Sequence, residues 1–208
     1  MLNVNLFLLL IFLGCAATLA TGGIWNNLIK LFNIIFAGLL AVNYYEPAAT
    51  FLEGQLPNAT YVVDFAALWL VFALSMAILT VATDAISKVK VRFPRKVDLG
   101  VGGFLGCWVA WILICFTSMT LHTAPLALHF LDFQPEPTSR MFYGLSPDRT
   151  WLGFVHKESQ GAMSRNVVYK GPNGQLTYGV VFDPDGSFIL KYGERRARYE
   201  KVLSTFGK

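Results

Sequence analysis

"VDLGVGGFLGCWVAW", Val97–Trp111, holds four glycines, Gly100, Gly102, Gly103 and Gly106, and then turns wholly apolar. Glycine-rich runs cradle phosphates at helix N-termini. Small residues at four-residue spacing let helices approach closely inside a bilayer. The first reading makes the chain a nucleotide-binding fold, and the second makes it a helical membrane protein. The fingerprint G-x-G-x-x-G fits Gly100 and Gly102, but its third glycine falls on Leu105, with Gly106 one place late. No apolar strand precedes the run. What precedes it is "VKVRFPRKVD", charged and broken by Pro94, and the chain has no Gly-Lys-Ser or Gly-Lys-Thr. The phosphate reading fails, so no nucleotide cofactor is expected.

The packing reading fits the spacing. Gly102, Gly106 and Ala110 recur every four residues behind Asp98, and Ser118 and His122 continue roughly the same face. The surrounding composition agrees. The 208 residues are 54% hydrophobic and only 14% charged, with a mean hydropathy of +0.49. Soluble domains carry about a quarter charged residues.

Four apolar stretches stand out: about 4–19, 25–45, 61–82 and 101–121. A membrane span needs about 20 mostly apolar residues. The last three qualify directly, and the first extends through Thr21. Because "MLNVN" has no Lys or Arg, this first stretch reads as a retained helix rather than a secretory signal. Loop charge then sets orientation. Lys88, Lys90, Arg92, Arg95 and Lys96 crowd the third loop, 85–97, which is expected to be cytoplasmic. The second loop carries Glu46, Glu53 and Asp64 with no Lys or Arg, which puts it and both termini outside. With basic residues other than Lys30 confined to this loop and the chain after residue 123, nothing suggests a nucleic-acid surface.

After residue 123 a Pro-containing connector, 124–145, leads to a small tail, 146–208. "LSPDRTWLGFVHKESQGAMSR" reads as an amphipathic helix capped by Ser146, with Pro147 and Asp148 in its first turn and Trp151, Leu152, Phe154, Val155, Ala162 and Met163 on one side. "NVVYKGPNGQLTYGVVFDPDGSFILKYG" reads as a three-stranded meander turned at "GPNG" and "DPDG". "ERRARYEKVL" closes the chain as a basic helix. The expected fold is a four-helix transmembrane domain, 1–123, followed by an α+β extramembrane region.

The sequence offers little chemistry. Asp64 and Asp84 flank one helix about 30 Å apart, too far to share a proton. His122, His129 and His156 have no Cys or carboxylate at ligand spacing, and no G-x-S-x-G elbow exists. No catalytic, cofactor or metal site is therefore expected. The polar intramembrane candidates are Asn33, Asn43, Thr80, Ser118 and His122. Asn33 reads mainly as a hydrogen bond across the bundle, and His122 as an anchor at the end of the fourth span.

The third loop and fourth span resemble the colicin V production protein family. Its basic segment leads to an Asp and then to glycines at four-residue steps, matched here by Lys88–Lys96, Asp98, Gly102, Gly106 and Ala110. The family usually has glycine at the last position. "TGGIWNNLIKLFNII" is similar to its glycine turn into the second helix, and the likeness covers about residues 1–125. The resemblance implies four membrane helices in the bacterial inner membrane, a role in toxin production or export and in envelope homeostasis, and no enzyme or cofactor. The expected partners are the bilayer and a second copy or another membrane protein, met through the glycine seam. Two other readings remain open: a small transporter or channel subunit with Asn33, Asn43 and Thr80 along its path, and an envelope-binding module acting through its tail.

Overall fold

The computed structural model describes residues 3–56, 59–87, 91, 93–126, 130–133, 138–161, 163–164, 167–170, 176–179 and 181–206. Four apolar helices come first: α1 (Val4–Leu19), α2 (Gly23–Gln55), α3 (Thr60–Ile86) and α4 (Arg95–Thr123). The tail adds α5 (Pro147–Ser159), a hairpin of β1 (Val167–Lys170) and β2 (Leu176–Gly179), and α6 (Phe188–Phe206).

Three helices, α2, α3 and α4, are long and apolar enough to cross a membrane. The 16 residues of α1 reach only about 24 Å, against a hydrocarbon core of about 30 Å. The expectation of four full spans is thus met by three, with α1 the exception. Helix α4 lies at the centre, packed against α1, α2, α3, α5 and α6. Helix α1 runs along α4 from end to end. Leu19 sits against Gly106, while Val4 and Leu8 cluster with Ile114, Phe133, Met141 and Phe142. Asn5 Oδ1 accepts a 2.7 Å hydrogen bond from the Phe142 amide, so the start of α1 lies at the end of the bundle that carries the tail.

The tail departs from the expected meander. Strands β1 and β2 pair antiparallel, Val167 opposite Gly179 and Lys170 opposite Leu176. The residues expected to form a third strand open α6 instead. Gly186, at φ +62°, closes the "DPDG" turn. The Asp183 carboxylate then accepts from the amides of Ser187 (2.7 Å) and Phe188 (3.1 Å), capping a helix rather than feeding a strand. Phe188, Tyr192 and Arg196 are buried at four-residue steps, which is helical spacing. The closing helix therefore begins six residues before the expected Glu194. The amphipathic helix ends at Ser159, short of the expected stretch through Arg165, and Ser146 also departs from expectation. Its backbone is left-handed and its side chain makes no capping hydrogen bond, because an N-cap needs extended φ and ψ to aim its oxygen at the helix. The "GPNG" turn lies outside the described residues.

Candidate functional site

At the end of the bundle that carries the basic loop, the glycine seam is filled from within. A Cβ on Gly102 would lie 2.7 Å from the Gly23 carbonyl carbon and 2.9 Å from the Ile24 nitrogen, and one on Gly106 would lie 3.0 Å from Leu19 Cβ. The α1–α2 turn occupies the groove that these glycines open. Gly22 precedes α2 and has no side chain to cap it. Asp98 supplies the cap from α4, its Oδ1 accepting from Ile24 N at 2.8 Å. Gly23, at φ +72°, leaves room for that carboxylate, whose Oδ2 would lie 2.9 Å from an added Cβ. Buried Asn27 completes the joint, its Nδ2 donating to Leu19 O and Gly102 O, both at 2.8 Å. A carboxylate beside the N-termini of both α2 and α4 also meets the positive ends of two helix dipoles.

At the opposite end, polar side chains pin the tail to the bundle. His122 Nε2 and Asp148 Oδ2 stand 3.0 Å apart, with both side chains nearly fully buried. Arg196 donates from Nη2 to Leu121 O (2.7 Å) and Ala124 O (3.2 Å), carbonyls at the end of α4 that also accept from the Ala124 and Leu126 amides. Its guanidinium also lies 4.6 Å from the Phe133 ring centroid. Burial lowers the Arg196 pKa to about 10, opposed by the nearby Glu200. Arg195 pairs with Asp64 and also donates to Thr60 O. Tyr192 Oη donates to Asp64 Oδ2 at 2.9 Å and approaches Tyr45 Oη at 3.4 Å. Burial pushes the Tyr192 phenol well above its ordinary value, with Tyr45 and Asp64 adding to the effect. Its hydroxyl therefore stays a donor.

Between the two ends, α5 is set into the bundle. Trp151 is 1% exposed and presses on Gly38, where an added Cβ would come within 2.5 Å of the indole. The indole also meets Phe116 edge-on, with ring centroids 6.0 Å apart.

The structure treats the sequence candidates differently. Asp98, Gly102 and Gly106 meet one joint, and Ala110 is fully buried farther along α4. Asn33 reaches across to α3, its Nδ2 donating to Thr83 Oγ1 at 3.0 Å. Asn33 and Thr80 share the wall of one cavity between α2 and α3. Asn43 is not on that wall and lies about 15 Å farther along α2. Ser118 is buried and bonds its own helix, donating to Cys115 O at 3.0 Å. His122 is drawn into the tail pair. Arg95 and Lys96 open α4, while Lys88, Lys90, Arg92 and His129 lie outside the described residues. Asp64 and Asp84 lie at opposite ends of α3. No group of three or more His, Cys, Asp or Glu that could hold a metal occurs among the described residues.

Sequence reasoning did not single out Asn27, Tyr192 or Arg196, nor Asp148 as a partner of His122; Gly38 stood out in the second span's stripe of Asn26, Lys30, Asn33, Ala37, Gly38 and Ala41, without its neighbour. Such a stripe marks a close neighbour. Nothing local to the sequence names Trp151 as that neighbour.

Three long apolar helices, with polar joints at both ends and small residues where backbones approach, define an α-helical membrane protein. The family model for the colicin V production protein matches residues 4–130. The chain belongs to that family. No curated protein matches it, and neither does any solved structure.

Proposed function

We propose that this chain is a non-enzymatic, multi-pass protein of the bacterial inner membrane, acting in colicin V production and export and in envelope homeostasis. It acts by packing against a second copy of itself or another membrane protein. The family match over residues 4–130 carries this reading. The fate of the polar side chains supports it: Asp98, Asn27, His122, Asp148, Asp64, Arg195 and Arg196 are all engaged in joining the chain's own elements. The glycine seam is likewise engaged within the chain, so a partner would meet the outward faces of the helices. Tail and bundle act as one body in this reading, because α5 and α6 are tied into the helices rather than tethered to them.

In a host that makes colicin V, deleting this chain is expected to lower the toxin released to the medium, with release restored by the wild-type chain. Unchanged release would overturn the role.

The orientation we propose puts the 85–97 loop in the cytoplasm and both chain ends outside. It makes α1 a short fourth crossing beside α4, although only α2, α3 and α4 are long enough to span by themselves. The loop's positive charge supports this, as does the placing of the first residues of α1 beside the tail. In a chain freed of Cys15, Cys107 and Cys115, a cysteine at exposed Ser187 is expected to react with an impermeant maleimide in intact cells. A cysteine at exposed Val91 is expected to react only after lysis. The reverse pattern would overturn the orientation.

A further inference from the structure

The cavity between α2 and α3 has a volume of about 370 Å³ and carries charge where an intramembrane wall should be apolar. Lys30 and Asn26 line it from α2, and Thr80, Thr83 and Asp84 from α3. Lys30 and Asp84 pair neither with each other nor with any other described residue. Ionic groups at the edge of a hydrocarbon layer are costly unless something neutralises them. At the back of the cavity stands Asn33, 1% exposed. Its amide nitrogen is taken by Thr83, yet its Oδ1 is buried without a donor.

These requirements describe one kind of molecule. Lys30 asks for an anion and Asp84 for a cation. A zwitterion with a phosphate and a primary ammonium meets both. The position indicates its source. The cavity spans the first turns of α2 and the last turns of α3, within about 15 Å of the end that carries the basic loop. Trp25 marks that level, its Nε1 donating to Ser87 Oγ at 2.8 Å, as interfacial aromatics do. Lys30, Thr80 and Asp84 are exposed on the side of the bundle, and the exposed apolar Val81 lies one turn from Asp84 on α3. Ile34, Met76 and Val109 continue the wall as apolar surface.

We infer that this cavity binds one aminophospholipid from the adjoining leaflet. Lys30 and Asn26 take its phosphate, Asp84 takes its ammonium, and an acyl chain runs along the apolar wall. The inference rests on the membrane embedding alone, so it stands or falls separately from the role in toxin production.

Native mass spectrometry of the purified full chain in detergent tests it. The probes are phosphatidylethanolamine, phosphatidylcholine and phosphatidylglycerol with identical acyl chains, and acyl-free glycerophosphoethanolamine. One phosphatidylethanolamine is expected to be retained about tenfold more tightly than the other two lipids, since choline has no N–H and glycerol no cation. Lys30→Gln and Asp84→Asn, both at exposed positions, are each expected to weaken that binding by about tenfold. Equal retention of the three lipids, or unchanged binding in either variant, would overturn the proposal. A preference for phosphatidylglycerol would overturn the zwitterion. Equally tight binding of the acyl-free headgroup would overturn the lipid as its source.

Discussion

Gly102→Ala is expected to destabilise the protein by about 3 kcal/mol or more, at or above the upper end of ordinary overpacking. The neighbouring Gly103→Ala is expected to be neutral or to stabilise by up to about 1 kcal/mol. Both changes add one methyl group to the same helix, and only their surroundings differ. At Gly102 the new Cβ would meet the backbone of Gly23 and Ile24 at 2.7–2.9 Å. No rotamer change relieves a clash with backbone, so the α1–α2 turn must retreat. That retreat would lengthen the Asn27 bond to Gly102 O and pull Ile24 N from Asp98. At Gly103 the nearest atom is Ala20 O at 3.8 Å, an ordinary contact. Midpoints of thermal unfolding in a single detergent would separate the two variants. Coincident midpoints would show that the seam does not hold the turn.

The second large effect belongs to the opposite end. His122→Ala is expected to cost about 3–5 kcal/mol, because it strands the Asp148 carboxylate in a dry site. Asp148 Oδ2 has His122 as its partner at 3.0 Å, and Asp148 Oδ1 has no hydrogen-bond partner. Asp148→Ala is expected to fall in the same range, since it removes the same pair and an acidic residue from the first turn of α5. The double variant is expected to cost clearly less than the sum of the two, as coupled neighbours do. A double-mutant cycle on unfolding midpoints reads this directly. Strict additivity would mean that the pair contributes nothing as a pair. Because α5 carries Trp151 against Gly38, limited proteolysis is also expected to cut the tail of either single variant faster than that of the wild type.

Together these two sites explain the arrangement of the molecule. Asp98 and Gly102 lie near one end of α4, and His122 lies near its other end. One helix therefore fixes the α1–α2 turn at one end and the tail at the other. Inside lipid, apolar side chains gain little by exchanging lipid for protein neighbours, so close packing and polar joints have to position the helices.

The helices themselves were legible in advance, because length and apolarity are local properties. The predicted starts and ends of the spans fall inside α2, α3 and α4, which extend further as polar-ended helices. The glycine stripe was also legible as a close-packing surface, and Asn33 as a hydrogen bond across the bundle. What fills the stripe was not legible. A four-residue step fixes which face of α4 is small but says nothing about whether a second copy or the chain's own turn lies on it. The meander failed for a related reason. "GSFILKYG" suits a short strand or the first turn of a helix by composition, and the Asp183 carboxylate decides between them through two amide contacts.

By itself the sequence determined that this is a helical membrane protein, which helix carries the small-residue face, and which family the chain resembles. Those facts follow from hydropathy, period and spacing along the chain. Only the tertiary structure decided that Asp98 caps α2, that His122 holds Asp148, that Trp151 fills the space above Gly38, and that Lys30, Asn33 and Asp84 share one cavity. Each of those contacts joins residues at least 26 positions apart or on different helices. A hydrogen bond depends on distances of a few ångströms, which no linear pattern specifies until the helices have packed.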